Sequence, residues 1–178
     1  MKNTFIISCP IDTYSGYGAR SRDVVKSIIE SDKYDVKIMP QRWGNTSWGF
    51  IENHEEWHFL TPHLLPVGAR LSEKPNIWAQ ITVPNEFSPI GDYNIGFTAG
   101  IETDTCAPQW IEGMNRMDLN IVSSNHSKSV FENTKFAFAT TAINTINVKI
   151  TTSLFLLENK SNHLHNDIRN KVDNIRNH

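Results

Sequence analysis

The segment from Tyr93 to Phe131 alternates between short apolar runs and stretches with helical spacing. The apolar runs cover residues 95–101 and 119–122, and nearly continuous runs of this kind are typical of strands that are covered on both faces of a sheet. Because alternating strands and helices favour parallel pairing, we predict an α/β fold, with a Rossmann-like, mainly parallel sheet and helices on both faces.

Polar side chains follow these two runs, namely Glu102, Asp104, Ser124 and His126. Ligands of open parallel sheets bind outside the carboxyl ends of the strands, so these four side chains are predicted to share one functional edge. Structural interpretations stay open beside this one. Glu102 could be an ion-paired carboxylate, and Asp104 or Thr105 is predicted to cap the next helix. Ser124 is predicted to cap the helix after it, where His126 could equally be a surface residue.

The first half of the chain predicts the same alternation. Strands are predicted at residues 4–9, 34–39 and 76–82, and a helix at residues 21–31. The helix has an apolar face that is predicted to cover the sheet, formed by Val24, Val25, Ile28 and Ile29. Its polar face is predicted to lie in water, with Arg22, Lys26 and Glu30.

The loop before this helix contains Gly16, Tyr17 and Gly18. Glycines let backbone N–H groups approach a phosphate or a sugar at the start of a helix, where the helix dipole favours anions. The loop lacks the third glycine of the dinucleotide-binding fingerprint, so an ordinary tight turn is the alternative. Arg20 and Arg22 are near enough in sequence to assist with phosphate, or they lie in solvent.

The composition limits the partners that the chain can have. It has 178 residues, 39% of them apolar and 20% charged, with a formal net charge of −2, which predicts an ordinary globular protein and no nucleic-acid partner. The chain has no apolar stretch near the roughly 18 residues that cross a membrane, so we expect no membrane span and a cytoplasmic location. Cys9 and Cys106 lack the spacing of a metal site.

The last part of the chain differs in composition from the rest. All five tryptophans and all eight prolines lie at or before Trp110, and Asn and Thr become frequent after Phe131. We therefore predict one Rossmann-like domain at residues 1–131 and a poorly defined, Asn- and Thr-rich extension at residues 132–178.

One short motif points to different chemistry. His54 and His58, with Glu55 between them, match the H-E-x-x-H pattern in which two histidines bind zinc and the glutamate activates water. The extended form of the motif fails, because Thr61 and Leu64 stand where Gly and His are required. A zinc hydrolase is therefore kept only as a remote hypothesis, and we expect no metal site.

Aromatic residues are concentrated between the second and third predicted strands. The segment contains Trp43, Trp48, Phe50, Trp57 and Phe59. Such rings stack on the faces of sugars in carbohydrate sites, but packing beneath a long connection is the simpler interpretation.

Several motifs together resemble the amino-terminal half of retaining GT-B glycosyltransferases, of the family 4-like, group 1 type. The resemblance covers residues 3–131 and depends on three segments. They are the Ser15-Gly16-Tyr17-Gly18 loop, the strand end Ile101-Glu102-Thr103-Asp104 with Pro108-x-Trp110, and Asp118-x-x-Ile121-Val122-x-Ser124-x-His126-x-Lys128-x-x-Phe131. The combination is far more specific than any one of its motifs.

The resemblance implies transfer of a sugar from a nucleotide-sugar donor to an acceptor hydroxyl, with no cofactor and no obligatory metal. It implies that Gly16, Tyr17 and Gly18 approach the donor diphosphate and the acceptor, and that Glu102 positions the acceptor electrostatically. GT-B enzymes have two such halves, and this chain has the length of one. We therefore expect a truncated enzyme whose donor-binding half is supplied by another domain or chain. The alternative is a non-catalytic carbohydrate- or nucleotide-binding module.

Overall fold

The computed structural model describes residues 2–138 and 150–152 of the chain. They form two compact units. The first unit comprises Met1–Thr82 and Ile90–Asp92, and the second comprises Val83–Pro89 and the described residues from Tyr93 onward. Within each unit the strands pair in parallel and are connected through helices, so the predicted α/β, Rossmann-like fold is confirmed.

The first unit contains three parallel strands in the order β2-β1-β3. Its elements are β1 (Asn3–Cys9), α1 (Gly16–Glu30), β2 (Tyr34–Pro40), a 3₁₀ helix (Glu55–His63) and β3 (Ile77–Ile81). The chain places β2 on one side of β1 and then returns to place β3 on the other side. The carboxyl ends of β1 and β3 therefore flank a topological switch point, which is where open α/β sheets bind ligands.

Helix α1 covers this sheet with the apolar face that its sequence predicts. Val24, Val25 and Ile28 are buried, and Lys26 and Glu30 are exposed. The prediction was wrong for Arg22, which is only 4% exposed. The predicted start at residue 21 was also wrong, since the helix begins at Gly16.

The second unit contains three further parallel strands in the order β4-β5-β6. Its elements are a short 3₁₀ helix (Pro84–Glu86), β4 (Tyr93–Thr98), α2 (Pro108–Asn115), β5 (Leu119–Val122), α3 (Asn125–Phe138) and β6 (Ile150–Thr152). The domain boundary predicted at residue 131 falls within α3 and stays a prediction, and most of the predicted extension lies outside the described residues.

The two predicted helix caps of this unit have different outcomes. The N–H of Ser127 donates to Oγ of Ser124 at 3.1 Å, so the cap of α3 is confirmed. Neither Asp104 nor Thr105 caps α2, which begins after Ala107 without a side-chain cap. Both residues lie before the N-cap position, which Ala107 occupies, and alanine has no side-chain acceptor.

Among the helices of residues 2–138, none combines the length and the apolar character needed to span a bilayer.

Candidate functional site

The switch point of the first unit is occupied by the loop between β1 and α1. Ser15 caps α1, because its Oγ accepts a hydrogen bond from the N–H of Gly18 at 2.9 Å. Oγ1 of Thr13 lies 2.8 Å from the same Oγ atom and donates to the carbonyl oxygen of Pro10 at 2.8 Å. The start of the helix is thus fixed to the loop by a chain of hydroxyl contacts.

The three residues predicted to bind substrate here lie in the first turn of α1 and not in the loop before it. Gly18 is buried, and a Cβ atom at this position would overlap the carbonyl oxygen of Thr13 and lie 2.6 Å from its Oγ1. A Cβ atom on Gly16 would meet nothing within 4 Å. Gly18 therefore allows close packing, whereas Gly16 leaves open space at the helix start.

An aromatic pair lies at the same end of α1. The ring of Tyr17 stacks on Trp43, with ring centroids 4.1 Å apart and ring planes inclined by 23°. Trp43 belongs to the connection between β2 and β3, so this connection contributes to the surface around the helix start.

Gln41 joins the carboxyl ends of the three strands of the first unit. Its backbone N–H donates to the carbonyl oxygen of Cys9 at 3.0 Å, and its Nε2 donates to that of Ile81 at 3.0 Å. Its Oε1 accepts from Oγ of Ser8 at 3.1 Å. Gln41 was not predicted from the sequence, because the only signal for it is a polar side chain directly after a strand.

Asp12 fastens the long connection between β2 and β3 onto the loop before α1. Its carboxylate accepts hydrogen bonds from the N–H groups of Gly49 at 3.2 Å and Ile51 at 2.7 Å. Its carbonyl oxygen accepts from the N–H of Phe50 at 3.1 Å. The loop and residues 49–51 are therefore held together by one side chain and one backbone group.

Arg22 stabilises the loop between β1 and α1 through hydrogen bonds to the loop backbone. Its Nη1 donates to the carbonyl oxygens of Ile11 at 2.8 Å and Thr13 at 3.0 Å, and its guanidinium carbon lies 3.4 Å from the ring centroid of Phe50. Burial lowers the pKa of Arg22 from its ordinary value, although nearby carboxylates oppose the shift. A guanidinium stays protonated nevertheless. The predicted roles of Arg22 in phosphate binding or on the solvent side were wrong, because its charge is directed at backbone carbonyls.

The candidate carboxylates of the second unit, Glu102 and Asp104, are exposed in the loop between β4 and α2. Neither side chain hydrogen-bonds to another residue in the described ranges. Glu102 does not follow the strand directly, as the apolar run at residues 95–101 predicted, because β4 ends at Thr98 and the chain turns at Gly100, whose φ is +88°. Glu102 thus lies four residues beyond the strand.

The ends of β4 and β5 are joined through the carbonyl oxygen of Ala99. It accepts hydrogen bonds from Oγ of Ser123 at 2.6 Å and from Oγ of Ser127 at 3.0 Å. Ser124, the cap of α3, lies between these two serines, and His126 is exposed in the first turn of the helix. The predicted site residues therefore divide into Gly16, Tyr17 and Gly18 in the first unit and Glu102, Asp104, Ser124 and His126 in the second.

The H-E-x-x-H motif does not form an α-helical turn. His54 precedes the 3₁₀ helix, in which residues four apart do not lie on one face. Nδ1 of His54 lies 2.7 Å from the carbonyl oxygen of Phe50, and Nε2 of His58 lies 3.4 Å from that of Glu52. Within residues 2–138 and 150–152, no three His, Cys, Asp or Glu side chains are grouped as a metal site.

Comparisons of the sequence with protein-family models, with curated proteins and with solved structures give no match. Function is therefore inferred from the residues and the fold alone.

A cavity of about 260 Å³ lies beside the first half of β1, away from the switch point. Thr4 and Ile6 of β1 contribute to its lining, and the rest comes from the chain segment 65–75, including Arg70 and Lys74. Lys74 forms an ion pair with Asp92 at 3.0 Å. The sequence analysis did not anticipate this cavity.

Proposed function

We propose that the chain is a glycosyltransferase-type domain, which takes part in transfer of a sugar from a nucleotide-sugar donor to an acceptor hydroxyl. The donor-binding half is proposed to come from another domain or chain. The observation that carries the proposal is the start of α1 at the β1/β3 switch point, with open space at Gly16. This matches the place where the sequence resemblance puts the donor diphosphate.

The chemistry of the helix start supports binding of a phosphate or a sugar. The Ser15 cap satisfies the N–H of Gly18, and the carbonyl oxygen of Ser15 accepts from Ala19 at 2.9 Å. Because the space around Gly16 is open, a ligand oxygen can approach the first N–H groups of α1, where the partial positive charge of the helix dipole is concentrated.

Glu102 is proposed to act on the acceptor and not as a nucleophile. Its exposed carboxylate, with no partner among the described residues, is free to accept a hydrogen bond from an acceptor hydroxyl. A carboxylate in this role orients the hydroxyl and stabilises the positive charge that develops at the sugar during transfer.

The test is titration of the folded full chain with a panel of nucleotide sugars, followed by tryptophan fluorescence, since Trp43 lies beside Tyr17. We expect saturable binding that Gly16→Asp weakens about tenfold, because a carboxylate there repels the diphosphate. Gly16→Ala is the matched control, since its methyl group meets nothing within 4 Å, and it should bind like the unsubstituted chain. Because the donor-binding half is proposed to lie elsewhere, the binding should be weak, and its complete absence for every donor would remove the diphosphate contact at Gly16 on which the proposal depends.

Measurement of released nucleoside diphosphate in the same samples distinguishes a domain that only binds the donor from a complete enzyme. Binding without release is expected for a domain that lacks its donor half. Release would mean that this chain, alone or as an oligomer, provides a full donor site.

A second candidate function is a non-catalytic module that binds carbohydrate. It is favoured by exposed aromatic side chains in the first unit, since Tyr14 is 46% and Trp48 is 37% exposed. The two functions differ in their response to Glu102→Ala. Loss of Glu102 reduces sugar transfer by an assembled enzyme, whereas it leaves a pure binding module unchanged.

A further inference from the structure

An exposed ring near the switch point is held in a fixed orientation. Tyr14 lies in the loop before α1, and its backbone N–H donates to the carbonyl oxygen of Ser47 at 3.1 Å. Its ring meets Phe50 edge to face, with centroids 5.0 Å apart and planes inclined by 63°. Such a contact holds the ring in place, while 46% of Tyr14 stays exposed to a ligand.

A hydrogen-bonding group stands beside this ring. Nδ2 of Asn53 donates to the carbonyl oxygen of Gly49 at 2.6 Å and contacts the hydroxyl of Tyr14 at 3.4 Å. Both donors of the amide are thereby directed into the protein. Asn53 is exposed, and its Oδ1, which can accept a hydrogen bond, receives none from the described residues.

The charges around Tyr14 and Asn53 favour an uncharged ligand. Arg22 interacts electrostatically with Tyr14, but it is 4% exposed and covered by the ring of Phe50. His54 stacks on Phe50 as well, with centroids 3.9 Å apart and planes inclined by 6°. Two groups this close to one ring centroid would overlap if they shared a face, so Arg22 and His54 lie on opposite faces of Phe50. The guanidinium is therefore not available to a phosphate.

We propose that Tyr14 and Asn53 form a subsite for an uncharged hexopyranose ring, the acceptor sugar of the transferase. The apolar C–H face of the sugar stacks on the exposed face of Tyr14, and one sugar hydroxyl donates to Oδ1 of Asn53. A flat apolar surface with a few fixed polar groups is the usual composition of a small-ligand site. The acceptor role rests on the proposed function, whereas binding of the sugar does not.

The experiment measures binding of methyl hexopyranosides of glucose, galactose, mannose and N-acetylglucosamine to the full chain by saturation-transfer NMR and calorimetry. Tyr14→Leu retains an apolar contact with Phe50 but lacks the flat ring, and it should weaken binding about tenfold. Asn53→Ala should weaken it about fivefold through the lost hydrogen bond. Tyr14→Phe keeps the ring and should retain most of the affinity.

Phe59→Ala is the matched control, because Phe59 is an exposed ring, 39% exposed, in the connection between β2 and β3 that contains Asn53. It should bind like the unsubstituted chain. The subsite is refuted if no pyranoside binds, if Tyr14→Leu binds unchanged, or if an uncharged nucleoside displaces the sugar from Tyr14. Sugar binding without nucleotide-sugar binding would support the subsite while the transferase proposal fails. Nucleotide-sugar binding without pyranoside binding would support the transferase proposal and refute the sugar subsite.

Discussion

Gly18 lies directly against Thr13, so that a single added methyl group would overlap the carbonyl oxygen of Thr13. The contact brings the first turn of α1 onto the loop that follows β1. Close approach of a helix to this loop is a known reason for glycine in α/β nucleotide-binding folds. Here the structural role falls on Gly18, and Gly16 is left for a ligand.

The first prediction compares substitutions at these two glycines. Gly18→Ala should destabilise the chain by about 1–3 kcal/mol, because the added Cβ forces the loop away from the helix. Gly16→Ala should be neutral or stabilising by up to about 1 kcal/mol, because alanine favours the helix and space is open. Urea unfolding of both variants gives the two values. Equal free energies of unfolding for the two variants would show that the loop shifts to accommodate the added Cβ atom at no measurable cost.

The second prediction concerns the buried guanidinium. Arg22→Met should cost about 3 kcal/mol, because the carbonyl oxygens of Ile11 and Thr13 lose a charged donor and the stacking on Phe50 is lost. Arg42→Met is the control, since Arg42 is exposed and its guanidinium lies 6.0 Å from the ring centroid of Trp48. It should change stability by no more than about 0.5 kcal/mol. Similar midpoints of urea unfolding for Arg22→Met and Arg42→Met would contradict the structural role given to Arg22.

The third prediction is a loss of stability at alkaline pH. Burial raises the pKa of Cys9 from 9.0 to about 12, although a hydrogen bond with Ser21 opposes the shift. Above about pH 9 the unfolded chain releases this proton while the folded chain retains it, so the free energy of unfolding falls as the pH rises. The contribution is complete below the unfolded pKa and is lost progressively up to the folded one.

Cys9→Ala tests this linkage by urea unfolding at several pH values. The variant should be less stable near neutral pH, because a buried side chain becomes smaller, but its decline above about pH 9 should be shallower, by up to about 1 kcal/mol per pH unit. A decline should remain, since burial raises the pKa of Cys106 and raises that of Tyr93 to about 12. An unchanged slope would assign the alkaline loss to other groups.

The fourth prediction addresses the proposed chemistry. Glu102→Ala should lower sugar transfer by the assembled enzyme at least about tenfold without changing the unfolding midpoint, because the side chain is exposed and has no partner among the described residues. Glu112→Ala is the control, since Glu112 is an exposed carboxylate of α2. Undiminished transfer by the first variant would remove Glu102 from the mechanism.

Most strands could be predicted closely because buried parallel strands need nearly continuous apolar sequence, but β4 (Tyr93–Thr98) begins two residues before the predicted run at residues 95–101 and ends three residues before that run does. The predicted run at residues 119–122 coincides with β5, and β3 differs from its prediction by one residue at each end. The start of α1 could not be predicted, because two glycines in its first turn disfavour a helix. The Ser15 cap and the contact of Gly18 with Thr13 override that preference.

Residues of the candidate site could be predicted from the sequence only where they are neighbours in one short segment. The glycines of the first turn could be identified from their position after β1, but Gln41, Asp12 and Asn53 could not. Gln41 and Asp12 bond to backbone groups from distant parts of the chain, and Asn53 contacts the distant hydroxyl of Tyr14. Burial of Arg22 escaped prediction for the same reason, because its partners are carbonyl oxygens and leave no trace in the side-chain pattern.

Asp12 connects the two proposed binding sites, the donor site at Gly16 and the sugar subsite at Tyr14. Its carboxylate and carbonyl oxygen hold residues 49–51 to the loop that leads into α1, so displacement of either segment strains the other. If a donor at Gly16 shifts this loop, the orientation of Tyr14 shifts with it, and an acceptor sugar on Tyr14 acts back on the donor by the same free energy. A single carboxylate would then couple the affinities for the two substrates.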